Sequence, residues 1–201
     1  MDNKNKISKR VLFGIIGVSV LLVIILVLAF VIFFMTPKDV KEEVIDAGDI
    51  SMTYTDDFNG LSITNTTPVA DEVGKTLEGA DQYFDFTVST NVLSSATVEY
   101  EIALVKNKSV STIGDGDIRI YLEKQSSGSY VKAFGPDAFA GITEKSKIGS
   151  PKGSMIVSKV ANDESSTENY RLRMWLSDKA LVTPDVIQNY TVEVVVNGRA
   201  Q

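Results

Sequence analysis

Hydrophobic and polar positions follow two different patterns along this chain. From Val11 to Met35 the run VLFGIIGVSVLLVIILVLAFVIFFM holds 25 consecutive uncharged residues, with Ser19 its one hydroxyl. As a helix rising 1.5 Å per residue it reaches roughly 37 Å, enough to cross a hydrocarbon core of ~30 Å with some tilt. Phe30, Phe33 and Phe34 stand at its outer end, and Pro37 marks the helix stop. A cleaved leader has a shorter apolar core and a small-x-small cleavage site. This run is longer and ends without Ala-x-Ala, so it reads as a retained single-pass anchor.

From Ile50 onward the period changes to two. QYFDFTVST (82–90) sets Tyr83, Asp85, Thr87 and Ser89 on one side and Phe84, Phe86 and Val88 on the other, as a half-buried strand requires. In TVEYEIALVKN (97–107), Val98, Tyr100, Ile102 and Leu104 alternate against Thr97, Glu99, Glu101 and Ala103. ISMTY, LSITN, DIRIYLEK, SYVKAF, SMIVSKVA, NYRLRMWLSD and YTVEVVVNG complete a series of about nine strands. The Ser-Ser-Gly turn before SYVKAF makes a hairpin there. Short strands at this spacing predict an all-β fold, an antiparallel β-sandwich of jelly-roll or Ig-like type, preceded by one N-terminal transmembrane helix. TPDVIQ (183–188) reads as a short helix with Pro184 at its first position, and PDAFAGI (136–142) as a short helix or a loop. The organisation is a basic tail (1–10), the membrane helix (11–35), a charged stalk (36–49) with at most a helical turn, and the sandwich domain (50–201).

Charge gives the anchor its direction. Lys4, Lys6, Lys9 and Arg10 precede it against the single acid Asp2, a balance of +3, which leaves −9 of the total −6 for residues 36–201. The positive-inside rule then places the N-terminus in the cytoplasm and the C-terminal domain outside. An acidic domain is a poor partner for nucleic acid, whose affinity comes from clustered Lys and Arg.

Composition narrows the chemistry further. The chain has no cysteine and no histidine. Disulfides, thiolate nucleophiles, Ser-His-Asp and Cys-His arrangements and the usual zinc sites are therefore excluded. No catalytic residue and no cofactor site is assigned from the sequence.

Three strings stand out. Gly114-Asp115-Gly116-Asp117 has the oxygen ligands a calcium ion wants, and Asp115 and Asp117 are its weak candidate ligands, although the EF-hand spacing is absent and a tight turn explains the glycines. Asp56 and Asp57, before Phe58-Asn59-Gly60, read as a turn. In the strand Tyr170–Leu176, Arg171, Arg173 and Trp175 share one face. They form a candidate interaction surface, or else a second small core with the arginine stems packed over Trp175. Asn65, Asn107 and Asn189 begin N-x-Ser/Thr triplets at the frequency chance supplies.

TNTTPVADEVGKTL leading into QYFDFTVSTN, then TVEYEIALVKN, NYRLRMWLSD and YTVEVVVNG, resembles exported β-sandwich proteins of Firmicutes, the TasA/camelysin-like surface and matrix proteins. The resemblance spans residues 50–197 and implies a jelly-roll-like sandwich able to associate by strand addition. The chain departs from that pattern in its retained anchor, where matrix proteins of the group are released. The sequence thus predicts a bilayer-anchored surface protein whose non-enzymatic sandwich binds, adheres or scaffolds. Its partner would be a protein, an envelope polymer or another copy of itself. The alternative is an accessory subunit of a transport or secretion complex, with Gly14, Gly17 and Ser19 lending the helix a contact face. A third reading is a carboxylate-based carbohydrate hydrolase.

Overall fold

A computed structural model describes residues 41–45, 50–55, 57–79, 81–92, 97–142, 146, 148–150, 155–181 and 187–200. The expected span Val11–Met35, the basic tail, Asp56 and residues 183–186 of the expected TPDVIQ helix lie outside them. Among the described residues no helix is long and apolar enough to cross a membrane.

Ten strands follow one another: β1 (Lys41–Ile45), β2 (Ile50–Tyr54), β3 (Gly60–Thr64), β4 (Tyr83–Thr90), β5 (Val98–Lys106), β6 (Ile118–Ser126), β7 (Ser129–Ala138), β8 (Met155–Asn162), β9 (Ser166–Leu176) and β10 (Asn189–Ala200). A single helical turn, α1 (Asp71–Gly74), stands between β3 and β4, and a 3₁₀ turn covers Phe139–Gly141. β7 runs through Ala138, so most of PDAFAGI is strand end and 3₁₀ turn. Nine of the ten strands coincide with the alternating segments of the sequence. The tenth, β1, pairs with β2 inside the stretch whose charge suggested a stalk.

The strands make two antiparallel sheets, ordered β1-β2-β4-β9-β6-β7 and β3-β10-β5-β8. They face each other across one core, to which the six-stranded sheet gives Met52, Phe84, Phe86, Ile120 and Leu172, and the four-stranded sheet Leu61, Ile102, Leu104, Val194 and Val196. Alternation is what places these side chains: along β4 burial switches at every residue, with Phe84, Phe86 and Val88 inward. Phe84, Phe86 and Tyr170 stack in series, with centroids 5.6 and 5.4 Å apart.

The β6–β7 hairpin closes through Ser127 and Gly128, both at positive φ (50° and 83°), between the paired Ser126 and Ser129. Two consecutive positive φ values are what a two-residue primed turn requires, and they match the twist of the strands it joins. On β5 the inward set is as the alternation predicts, but Glu101 and Ala103 on the opposite side are buried as well. Glu101 accepts hydrogen bonds from the hydroxyls of Ser146 (2.7 Å) and Ser150 (3.0 Å), which satisfy its carboxylate beneath that segment.

Candidate functional site

The outward face of the six-stranded sheet carries a connected set of polar side chains. Strand registers set its side chains in rows. Thr53 of β2 pairs with Thr87 of β4, Thr87 with Asn169 of β9, and Gln125 of β6 with Tyr130 of β7. The Thr87 hydroxyl donates to Asn169 Oδ1 at 2.8 Å, and Asn169 Nδ2 donates to Gln125 Oε1 at 2.8 Å. One continuous polar row therefore crosses five strands, fixed by cross-strand pairs.

The next row is charged. Asp85 of β4 pairs with Arg171 of β9, and Arg171 with Glu123 of β6. Arg171 donates through Nε and Nη2 to the two oxygens of Asp85, both at 2.7 Å. Its guanidinium also lies against two aromatic rings, 4.1 Å from the centroid of Tyr83 and 4.5 Å from that of Tyr130. A bidentate fork stacked on rings is a geometry that lysine cannot copy. The hydrogen bond to Asp85 raises the Arg171 pKa above the ordinary arginine value. Burial, followed by the Asp85 charge, raises that of Tyr130, against an opposing pull from Arg171.

One end of this face is covered. Val69 forms a parallel bridge with Ser177, and its N–H donates to Leu176 O at 2.9 Å, so the chain from Val69 to Gly79 runs across the sheet. α1 lies on Trp175 so closely that a Cβ at Gly74 would come within 2.1 Å of the indole. Arg173 donates to Leu77 O (3.0 Å) and Glu78 (3.2 Å) and is ion-paired with Glu123. Trp175 is 1% exposed and the Arg173 side chain 5%. Of the two readings of the Arg171–Arg173–Trp175 face, the packed one describes Arg173 and Trp175. Trp175 and Arg173 belong to a small second core beneath α1, and Arg171 alone borders the open end.

Beyond Arg171 the face opens into a groove of about 270 Å³, lined by Thr53, Tyr54, Asp85, Thr87, Tyr130 and Asn169. These residues went unremarked as a site in the sequence. The signal was present in the polar side of QYFDFTVST, where Tyr, Asp, Thr and Ser replace the Lys and Glu of an ordinary solvated face.

The other sequence candidates have structural tasks. Asp115 is ion-paired with Lys106 and accepts from the Tyr190 hydroxyl at 2.9 Å, while Lys106 lies 4.7 Å from the Tyr190 ring centroid. Burial, then the hydrogen bond to Asp115, raises the Tyr190 pKa. The Asp117 N–H closes the turn on Gly114 O at 3.0 Å, and its carbonyl accepts from Ser177 N–H at 2.8 Å. Among the described residues no group of three or more acidic side chains converges as an ion site. Asn107 uses its Oδ1 to accept from the N–H and hydroxyl of Ser109.

No family model matches this chain, and neither a curated protein nor a solved structure matches it.

Proposed function

We propose that this chain is a single-pass, membrane-anchored surface protein whose sandwich binds a component of the cell envelope without catalysing a reaction. The observation that carries the proposal is the open half of the outward face. Its polar groups are held in register across five strands, and Arg171, which borders it, is paired by Asp85. Rigid strands present such groups more accurately than loops do. The uncharged run Val11–Met35, behind four bases, supports the anchor and its orientation. Strands β2 to β5 alternate between the two sheets, as do β8 to β10, which favours a jelly-roll over an Ig-like winding. The resemblance to TasA/camelysin-like sandwiches agrees with this reading, except that the anchor keeps the domain at the membrane.

The absence of cysteine makes a clean test of placement. Asn5→Cys and Ser129→Cys variants are exposed on intact cells to a membrane-impermeant maleimide. Labelling at residue 129 alone is the expected result, and labelling at residue 5 overturns the orientation. For function, the full chain in detergent is sedimented with isolated envelope material and sized in solution. A monodisperse monomer that sediments with no envelope fraction overturns the binding role.

A further inference from the structure

The groove beside Arg171 has a definite chemical character. The backbone of β2, β4 and β9 beneath it is paired on both sides within the sheet, so a peptide strand finds no free edge on those strands. What the groove offers is side-chain hydrogen bonding with capacity to spare. Asp85 accepts two bonds from Arg171, and an ionised carboxylate has about four lone-pair sites. Thr87 donates to Asn169 and keeps its acceptor lone pairs, and Asn169 spends one amide N–H on Gln125 and keeps the second. Such a mixed set is best satisfied by a ligand whose groups both donate and accept, which is the property of a hydroxyl.

Charge and shape narrow the class. Arg171, the cation bordering the groove, already carries both oxygens of Asp85, Lys132 stands opposite Glu123 in the same row, and the excess of nine acids over residues 36–201 disfavours an anionic ligand. Tyr130 lines the groove with its ring fixed against the Arg171 guanidinium. A ring held in this way offers apolar surface next to the hydrogen-bonding groups, as the C–H face of a sugar demands. The polar surface also continues past the groove. Ser51, Ser89 and Thr167 form a further row, with Ser89 and Thr167 hydroxyls 3.3 Å apart. An open, extended surface suits a chain rather than an enclosed small molecule.

We infer that this groove binds a neutral polysaccharide strand, an inference that rests on the envelope-binding function proposed above. The strand lies across Thr53, Thr87 and Asn169, with one sugar ring against Tyr130 and a hydroxyl on Asp85.

The test is affinity electrophoresis of the detergent-solubilised full chain in gels containing dextran, a soluble neutral β-glucan, or polygalacturonate as the anionic polymer. Retardation by at least one neutral polymer and not by polygalacturonate is expected. Tyr130→Ala and the near-isosteric Thr87→Val each weaken it by about tenfold, while circular dichroism reports an unchanged fold. Retardation by polygalacturonate alone, equal retardation of both folded variants, or none by any neutral polymer overturns the inference. The envelope sedimentation separates the two levels. Sedimentation without neutral-polymer binding removes the saccharide and leaves the envelope role, and loss of both removes both.

Discussion

Tyr100 of the four-stranded sheet and Tyr170 of the six-stranded sheet meet hydroxyl to hydroxyl at 2.7 Å inside the sandwich. Glu168 joins them, its Oε2 2.5 Å from the Tyr100 hydroxyl and 2.7 Å from that of Tyr170, and its Oε1 accepts from Lys124 at 2.6 Å. Three oxygens in a triangle have three edges, but the two phenols supply only two protons. Both protons are best directed to the carboxylate, where a charge strengthens the bond. The cluster thus ties the two sheets together through one buried anion whose charge is compensated at the rim.

Removal of one phenolic proton should therefore cost less than disruption of the whole cluster. Tyr100→Phe and Tyr170→Phe are each expected to lower unfolding free energy by about 1.5–3 kcal/mol, the usual range for a hydrogen bond to a charged group. The double variant should depart from the sum, because the hydroxyls share an acceptor. Urea denaturation of the three variants checks this. Strict additivity would mean that the hydroxyls act independently.

The same cluster sets a pH dependence at both ends. For Glu168, burial alone would raise the pKa, but hydrogen bonds from Lys124, Tyr100 and Tyr170 together bring it below the ordinary glutamate value. A lowered folded pKa gives stability that is present above the ordinary value and lost as pH falls through the folded one. Glu168→Gln should flatten the acid limb of stability against pH. At the alkaline end, burial raises the pKa of Tyr100, Tyr170 and Tyr190 above the ordinary tyrosine value. Their contribution is present below pH ~10 and is lost as pH rises toward the folded values. Ultraviolet titration should show these three of the seven tyrosines ionising only together with unfolding.

Gly74 offers a separate check on the covered end of the sheet. A methyl group there would come within 2.1 Å of the Trp175 indole, so α1 must lift or the ring must move. Gly74→Ala is expected to cost about 1–3 kcal/mol, the range for overpacking. Trp175 is the only tryptophan in the chain, so its emission reads this site alone. The native emission should be blue-shifted and resistant to acrylamide, and the variant's red-shifted and quenchable. An unchanged spectrum would mean that α1 does not rest on the ring.

Strands were legible because alternation is a local property. Phe84, Phe86 and Val88 declare the inner side of β4 without knowledge of its neighbours, and the structure buries all three. Partnership between strands is not local. Asp85 meets Arg171 at a sequence separation of 86, and nothing near either residue names the other. What covers Trp175 was hidden for the same reason, since the cover comes from α1, about a hundred residues earlier in the chain. A four-residue turn such as Asp71–Gly74 has no amphipathic period to find. β1 was obscured by its charges: KEEVI reads as stalk until β2 supplies an edge for it to pair with.

Arg171→Lys tests whether the groove depends on geometry or on charge alone. The substitution keeps the positive charge but removes the planar fork, so Asp85 loses one of its two bonds and Tyr83 and Tyr130 lose the surface between them. Asp85 is 41% exposed, and solvent screening limits the electrostatic loss. A stability cost of about 1 kcal/mol is expected, mostly from lost packing and one hydrogen bond. Arg199→Lys is the control, because its pair with Glu99 is exposed on both sides and the change should stay within about 0.5 kcal/mol. Envelope sedimentation then separates the two causes. If Arg171 serves the groove by holding Tyr130 and Asp85 in place, the folded lysine variant loses sedimentation in step with Tyr130→Ala. If only the positive charge matters, Arg171→Lys sediments like the parent chain.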